Sequence, residues 1–271
     1  MELILASAEC DPSVDIICAP SNVNELFEFR DAIFNIGGFP VTRTVVLILL
    51  IAGVVSAFLY FGLRKKSVIP SKFQALTESV VGFVKDGIAI DIIGPEGAKY
   101  TPWLLSIFLF ILIGNIYEVT PLVNFPVTSR MALPAMLAAI TWVVFLIAGI
   151  KRQGIGYFTG IIWPKSVPVA LRPLVGLIEF FSTLIIRPLT LAVRLFANLV
   201  AGHLMLTLLL VSGWVFLSHI GDIGPRAGIG LAWFIMGLGI YVFEIVVIML
   251  QAYIFTLLSA VYVQSSLYPE H

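Results

Sequence analysis

Residues Thr44 to Leu63 read TVVLILLIAGVVSAFLYFGL, twenty positions without a charge, and Arg64, Lys65 and Lys66 follow at once. A hydrocarbon core of ~30 Å needs about this length of apolar helix, and a basic cluster is a common way to stop one. Working outward, Pro102 to Tyr117 and Leu133 to Ile150 form two more spans, separated by Pro121, Pro126 and Pro134 and ended by Lys151 and Arg152. Leu174 to Leu217 and Ala227 to Val263 each exceed the roughly 20 residues of one crossing, so they must tilt steeply, kink or lie partly across the bilayer. Ile69 to Ile93 differs: Phe73, Leu76, Val80, Val81, Val84 and Ile88 recur at helical spacing with Lys72, Glu78, Lys85 and Asp86 between them. That pattern predicts an amphipathic interfacial helix. The fold class is therefore an all-α polytopic membrane protein of about five membrane segments, the last two long and steeply tilted.

Composition agrees. Of 271 residues, 59% are hydrophobic and 12% charged, with a mean hydropathy of +1.04, which excludes a water-soluble single-core protein. Sixteen basic and sixteen acidic residues cancel, leaving no bulk field for nucleic acid. Neither zinc spacing, phosphate-cradling glycine loop nor nucleophile triad is present, so no cofactor or metal is expected and nucleotide chemistry belongs to another chain. The first 43 residues carry seven acids and only Arg30 and Arg43, with no secretory signal. Cys10 and Cys18 are the two cysteines; two free thiols is the simpler reading, and a disulfide the alternative if this segment faces an oxidising compartment.

Orientation follows from basic residues, which favour the cytoplasmic side. Residues 64–100 hold six and 151–172 hold four, against two in the N-terminal segment, Arg130 and Arg226 in the remaining connections. The expected organisation is an acidic segment outside at 1–43, a first transmembrane helix at 44–66 and an amphipathic helix and loop at 67–100. A transmembrane hairpin at 101–150, an inner loop at 151–173, a long tilted hairpin at 174–263 and an inner tail at 264–271 complete it.

The remaining charges are the informative ones, because an ionisable group within an apolar span requires a partner, water or a function. Arg194 stands in an acid-free run, Leu189 to Val200, and its guanidinium stays protonated at any accessible pH. A buried ion pair with Glu179 or Glu244, or snorkelling to the headgroups, is the structural alternative. At ~100° per residue Asn198 shares the face of Arg194, whereas His203 lies on the opposite face ~13 Å further along. Glu244 and Gln251, seven apart, share one stripe of the last helix. Arg187, before Pro188, reads as a helix-end residue or a lipid-phosphate contact. Trp103, Trp142 and Trp163 fit interfacial anchoring, and Gly202, Gly237 and Gly239 close helix approach.

The run Arg187-Pro188-Leu189-Thr190-Leu191-Ala192-Val193-Arg194-Leu195-Phe196-Ala197-Asn198-Leu199-Val200-Ala201-Gly202-His203 resembles the signature of subunit a of the F-type ATP synthase, bacterial type. Leu250-Gln251-Ala252-Tyr253-Ile254-Phe255 is similar to that family's second signature. The likeness covers most of the chain beyond about residue 70, from Gly114-Asn115 and Pro121 onward in detail.

The resemblance implies a stator in the cell inner (plasma) membrane, N-terminus outside and C-terminus cytoplasmic. Its hairpin would face a proteolipid c-ring and provide two offset half-channels that carry protons to and from ring carboxylates. Peripheral-stalk b subunits, the soluble catalytic head through the stalks, and membrane lipid are the other implied partners. Arg194 matches the family's essential arginine: a fixed cation stabilises the passing carboxylate and repels a proton crossing directly. Asn198 and Gln251 match polar positions near it. His203 and Glu244 match positions where many bacterial members carry an acid and a histidine in the opposite order, a pair able to relay protons from the outer side. Glu179 is the residue for the inner half-channel, although its register against the following proline differs by one residue from some members. An ion-coupled secondary transporter is the competing function, opposed by the lack of an internal repeat.

Overall fold

The computed structural model describes residues 11–12, 15–18, 32–36, 39–64, 69–120, 130–154, 156–163 and 168–268. Cys10, Lys65, Lys66, Pro121, Pro126 and the tail beyond 268 lie outside these. Two short strands, β1 (Ala32–Ile36) and β2 (Phe39–Thr42), pair antiparallel with Ile36 opposite Phe39 and Asn35 opposite Pro40. They were not expected. The signal was present nonetheless: Ile and Phe runs separated by Gly37-Gly38, a two-residue hairpin cue.

Among the described residues after β2, every regular element is a helix. Helix α1 (Arg43–Leu63) is followed by α2 (Lys72–Val84), a π-helical turn at Lys85–Ile90 and the short α3 (Asp91–Ile93). Ser71 caps α2 by accepting from the Gln74 N–H at 3.3 Å, satisfying one of the donors that a helix start leaves open. Helices α4 (Thr101–Val119), α5 (Ala132–Gln153) and α6 (Gly156–Ile162) come next. Then α7 (Arg172–Phe181) runs through a π-helical turn at Ser182–Ile186 into α8 (Arg187–Ser218). The short α9 (Ile220–Ile223) and the long α10 (Ala227–Leu267) end the chain. Among the described residues four helical stretches are long and apolar enough to cross a membrane, namely Thr44–Leu63, Ala132–Gln153, Arg172–Ser218 and Gly224–Leu267, and Thr101–Tyr117 is a shorter apolar one. The chain is an all-α polytopic membrane protein.

The π turn has a local cause. Pro188 has no N–H for the carbonyl four residues back, and its ring would clash there. The Arg187 N–H instead reaches Ser182 O, five residues back, which widens the turn by one residue.

Two compact units emerge. Unit 1 comprises Met1–Leu49, Gly114–Ser129 and Ala197–Met249, and its centre is the antiparallel packing of α8 on α10. Glycines set the register. A Cβ on Gly213 would meet Phe234, one on Gly230 would meet Phe216, one on Gly237 would meet Leu210, and one on Gly202 would meet the Glu244 carboxyl. The paired numbers add to 446 or 447 each time, so the two segments keep one alignment over more than ten residues. Small residues permit this because close backbone approach recovers dispersion contacts that lipid does not supply. Gly202 and Gly237 therefore do what their positions suggested, while Gly239 meets nothing within 4 Å.

Unit 2 comprises Leu50–Ile113, Arg130–Phe196 and Leu250–His271. Phe83 links α2 to α4 and α10 through Phe108 and Tyr253, each ring centroid 5.9 Å away. Phe145 meets Tyr262 at 6.0 Å, and the Thr141 and Ser259 hydroxyls approach to 3.5 Å. Trp142 lies midway along α5 with its indole nitrogen buried, so it is a packing residue and not the interfacial anchor expected. Trp163, at the end of α6 and half exposed, fits that expectation.

The cysteine alternatives resolve on one side: Cys18 is disulfide-bonded and fully buried.

Candidate functional site

In unit 1 the register brings two ionisable residues of opposite type to one level. His203 on α8 and Glu244 on α10 are both buried, 4% exposed, although neither has a charged neighbour along its own helix. Gly202, adjacent to His203, is why they fit. Its missing Cβ would stand 2.5 Å from Glu244 Oε1 and 2.6 Å from Oε2, so the carboxyl rests directly on the α8 backbone. Glu244 Oε1 makes no hydrogen bond among the described residues. Burial without a partner is costly for such a group, and this is the kind of cost that functional positions carry.

Asn198, also in unit 1, is half-buried with a buried Nδ2 that has no hydrogen-bond partner among the described residues. Tyr241, one turn before Glu244, donates its hydroxyl to Val119 O at 2.8 Å, tying α10 to the C-terminal end of α4. That carbonyl is one of the last four in its helix, which lack intrahelical donors. Sequence reasoning passed over Tyr241, since a lone aromatic in an apolar helix carries no signal.

In unit 2, Arg194 is exposed on α8, flanked by the exposed Leu189 and Val193. A guanidinium on an outward apolar face is not a buried tie between helices. The alternative ion pair of Arg194 with Glu179 or Glu244 is not among the salt bridges between described residues, which include Lys99–Glu96 and Arg152–Glu96, both at 3.1 Å. Gln251, on α10, is buried with an unsatisfied Nε2.

Unit 2 also contains a cavity of about 560 Å³, whose polar lining includes Glu179, Thr183, Arg187, Gln153, Tyr157 and Gln264. Glu179 thus opens into a polar space large enough for several waters. The neighbouring Arg187 departs from its expected role. It donates to Ser265 Oγ at 3.0 Å and stacks over the Tyr262 ring at 5.5 Å, which fixes α8 to α10 instead of meeting lipid. Tyr157 and Ser266 share a hydrogen bond of 3.1 Å. Burial, opposed by the Ser266 hydrogen bond, pushes the Tyr157 phenol above its ordinary value, so the group stays a neutral donor and acceptor at physiological pH. The π turn puts Thr183 in the lining, buried beside Glu179 and Arg187. Among the described residues no group of three His, Cys, Asp or Glu could hold a metal.

The family model described as ATP synthase A chain matches residues 44–264. Relatives described as ATP synthase subunit a include one from Frankia alni, 44% identical over 211 residues, covering 77% of this chain and 71% of the relative. One from Streptomyces lividans is 40% identical over 84% of this chain and 80% of the relative. A Nocardioides relative is 36% identical over 92% and 88%.

Proposed function

This chain belongs to the ATP synthase A chain family, and from that premise we propose how its residues divide the work of a rotary stator. It is a multi-pass membrane protein of the ATP synthase complex and couples proton translocation to ATP synthesis. A rotating proteolipid ring carries the protons between two half-channels, and peripheral-stalk b subunits hold this chain against rotation while the soluble head makes ATP.

The outer half-channel ends at His203 and Glu244. A neutral imidazole offers one donor and one acceptor nitrogen, and a carboxylate accepts at either oxygen, so the pair passes protons in both directions through water. Asn198 and Gln251 provide neutral polar groups near the ring. The inner half-channel starts at the cavity holding Glu179, with Thr183, Gln153 and Tyr157 supplying hydroxyl and amide groups that hold a water chain. Arg194 separates the two. Its charge is permanent, so it stabilises a ring carboxylate in its anionic form and opposes a proton that would bypass the ring. Lysine would serve poorly, because a desolvated ammonium loses its proton.

The observation that carries this reading is the register of α8 and α10, which holds the Glu244 carboxyl against Gly202 beside His203 while Arg194 on the same α8 stays exposed. Orientation follows from the basic-residue count and is supported by the disulfide at Cys18, a bond that persists in oxidising compartments: residues 1–43 and the 219–226 connection lie outside, and the tail from 264 lies inside. Purification in mild detergent with mass-spectrometric identification of co-purifying chains tests the assignment. Ring proteolipids and nucleotide-binding subunits are expected; a solitary homo-oligomer would overturn it.

A further inference from the structure

The N-terminal segment matched no motif in the sequence, yet in unit 1 its residues Ile16 and Cys18 are seated on the hairpin by three hydrogen bonds. Ser212 Oγ on α8 accepts from the Cys18 N–H at 2.9 Å and faces the Cys18 carbonyl at 3.2 Å, 194 residues away in sequence. Trp233 on α10 donates its indole N–H to the Ile16 carbonyl at 2.9 Å. Ser212 and Trp233 lie within one or two residues of the register, so one short turn is held by both helices at nearly the same level. Ile17, between the two anchored residues, borders a small apolar recess of about 120 Å³ with Met205, Leu208, Leu209, Ser212 and Trp233. Cys18 and Ser212 are 0% and 1% exposed.

We propose that the turn at the disulfide-bonded Cys18 is a clasp that fixes the α8–α10 spacing on the outer side of the proton relay. The inference rests on the proton-path reading of His203 and Glu244. Position supports it: Met205 lies two residues and Ser212 nine residues beyond His203, so the clasp spans the stretch from the relay to ~13 Å outward. Chemistry supports it as well. A backbone turn held by three hydrogen bonds alone would lose most of their benefit to chain entropy, and the disulfide at Cys18 removes part of that competing freedom. The clasp therefore answers to redox chemistry. A dithiol reductant converts the protein disulfide to two thiols while itself becoming the cyclic disulfide, and the turn is then held by noncovalent contacts alone.

The test uses the assembled, purified ATP synthase complex reconstituted in liposomes, so that folding and insertion precede reduction. Treatment with dithiothreitol before a proton gradient is imposed should slow ATP synthesis several-fold, while ATP hydrolysis by the detached head is unchanged. The Cys18→Ser complex should be slow from the start and indifferent to dithiothreitol, which excludes effects on other chains. Ser212→Ala combined with Trp233→Phe should slow synthesis with the disulfide intact, and its effect should not multiply with reduction, because both act on one element. Unchanged synthesis after verified reduction, or fully multiplicative effects, would overturn the clasp. In either case the loss of synthesis in Arg194→Ala reports separately on the proton-path reading.

Discussion

The Glu244 carboxyl rests on the backbone of Gly202, with no room for even a methyl group between them. A buried acid in a membrane helix is thereby given one position, set by a residue that contributes no side chain at all. Gly202→Ala puts a Cβ within 2.5 Å of Oε1 and must displace the carboxyl or spread the helices. A shift near 1 Å in a proton-transfer geometry costs up to ~100-fold in rate, so synthesis in inverted or reconstituted membranes should fall at least tenfold with the complex assembled. Wild-type rates in Gly202→Ala would show that the carboxyl position is unimportant.

Arg194→Ala should abolish proton-driven synthesis, and Arg194→Lys should fail to restore it. Assembly should survive both, because Arg194 forms none of the described salt bridges. Measuring synthesis and passive proton flux together is decisive: a coupled Arg194→Ala complex would sink the stator assignment.

Exchanging the relay pair, so that Glu stands at 203 and His at 244, should retain more coupled transport than either His203→Ala or Glu244→Ala. Each position is buried on its own helix, so both must accept the other's volume. An exchange no better than Glu244→Ala would argue that the two act independently.

Glu179→Gln keeps the size and hydrogen-bonding capacity of the side chain in the inner cavity but removes its titration. Synthesis should drop several-fold, with a larger loss in Glu179→Leu, since an apolar side chain also dries the cavity. Equal rates for wild type and both variants would remove Glu179 from the path. Stability of the complex, followed by thermal dissociation, separates this from a packing defect.

Orientation is open to labelling. With Cys10 and Cys18 replaced, a cysteine at Ser218 should react with a membrane-impermeant thiol reagent added to intact cells, and one at Ser265 only after permeabilisation. The reverse pattern would move His203 and Glu244 to the inner half-channel while leaving Arg194 its role.

Span boundaries were legible because burial in lipid is written into continuous runs: Leu133 to Ile150 and Ala227 to Val263 reappear as helices within a few residues. Arg194, His203 and Glu244 stood out in the sequence because a charge in such a run is costly and therefore conspicuous. What stayed hidden depended on distance in sequence or on neutral residues. No periodicity connects Cys18 to Ser212, the hydroxyl of Tyr241 looks like any aromatic, and Arg187 could be read as a helix end until Tyr262 and Ser265 were seen around it. Gly239 and Trp142 were misassigned for a related reason, since residue type alone does not say which face of a helix meets a neighbour.

The constant pairing of α8 with α10 makes the hairpin a ruler with one fixed scale. Lengthening the 219–226 connection leaves every division aligned, because extra residues collect at the turn. Inserting a single residue between Gly202 and Gly213 rotates one part of α8 against the other by ~100°, so Gly202 and Gly213 can no longer both face α10. In this chain, then, the bend can take extra residues, while the stretch between Gly202 and Gly213 can change letters but not its count.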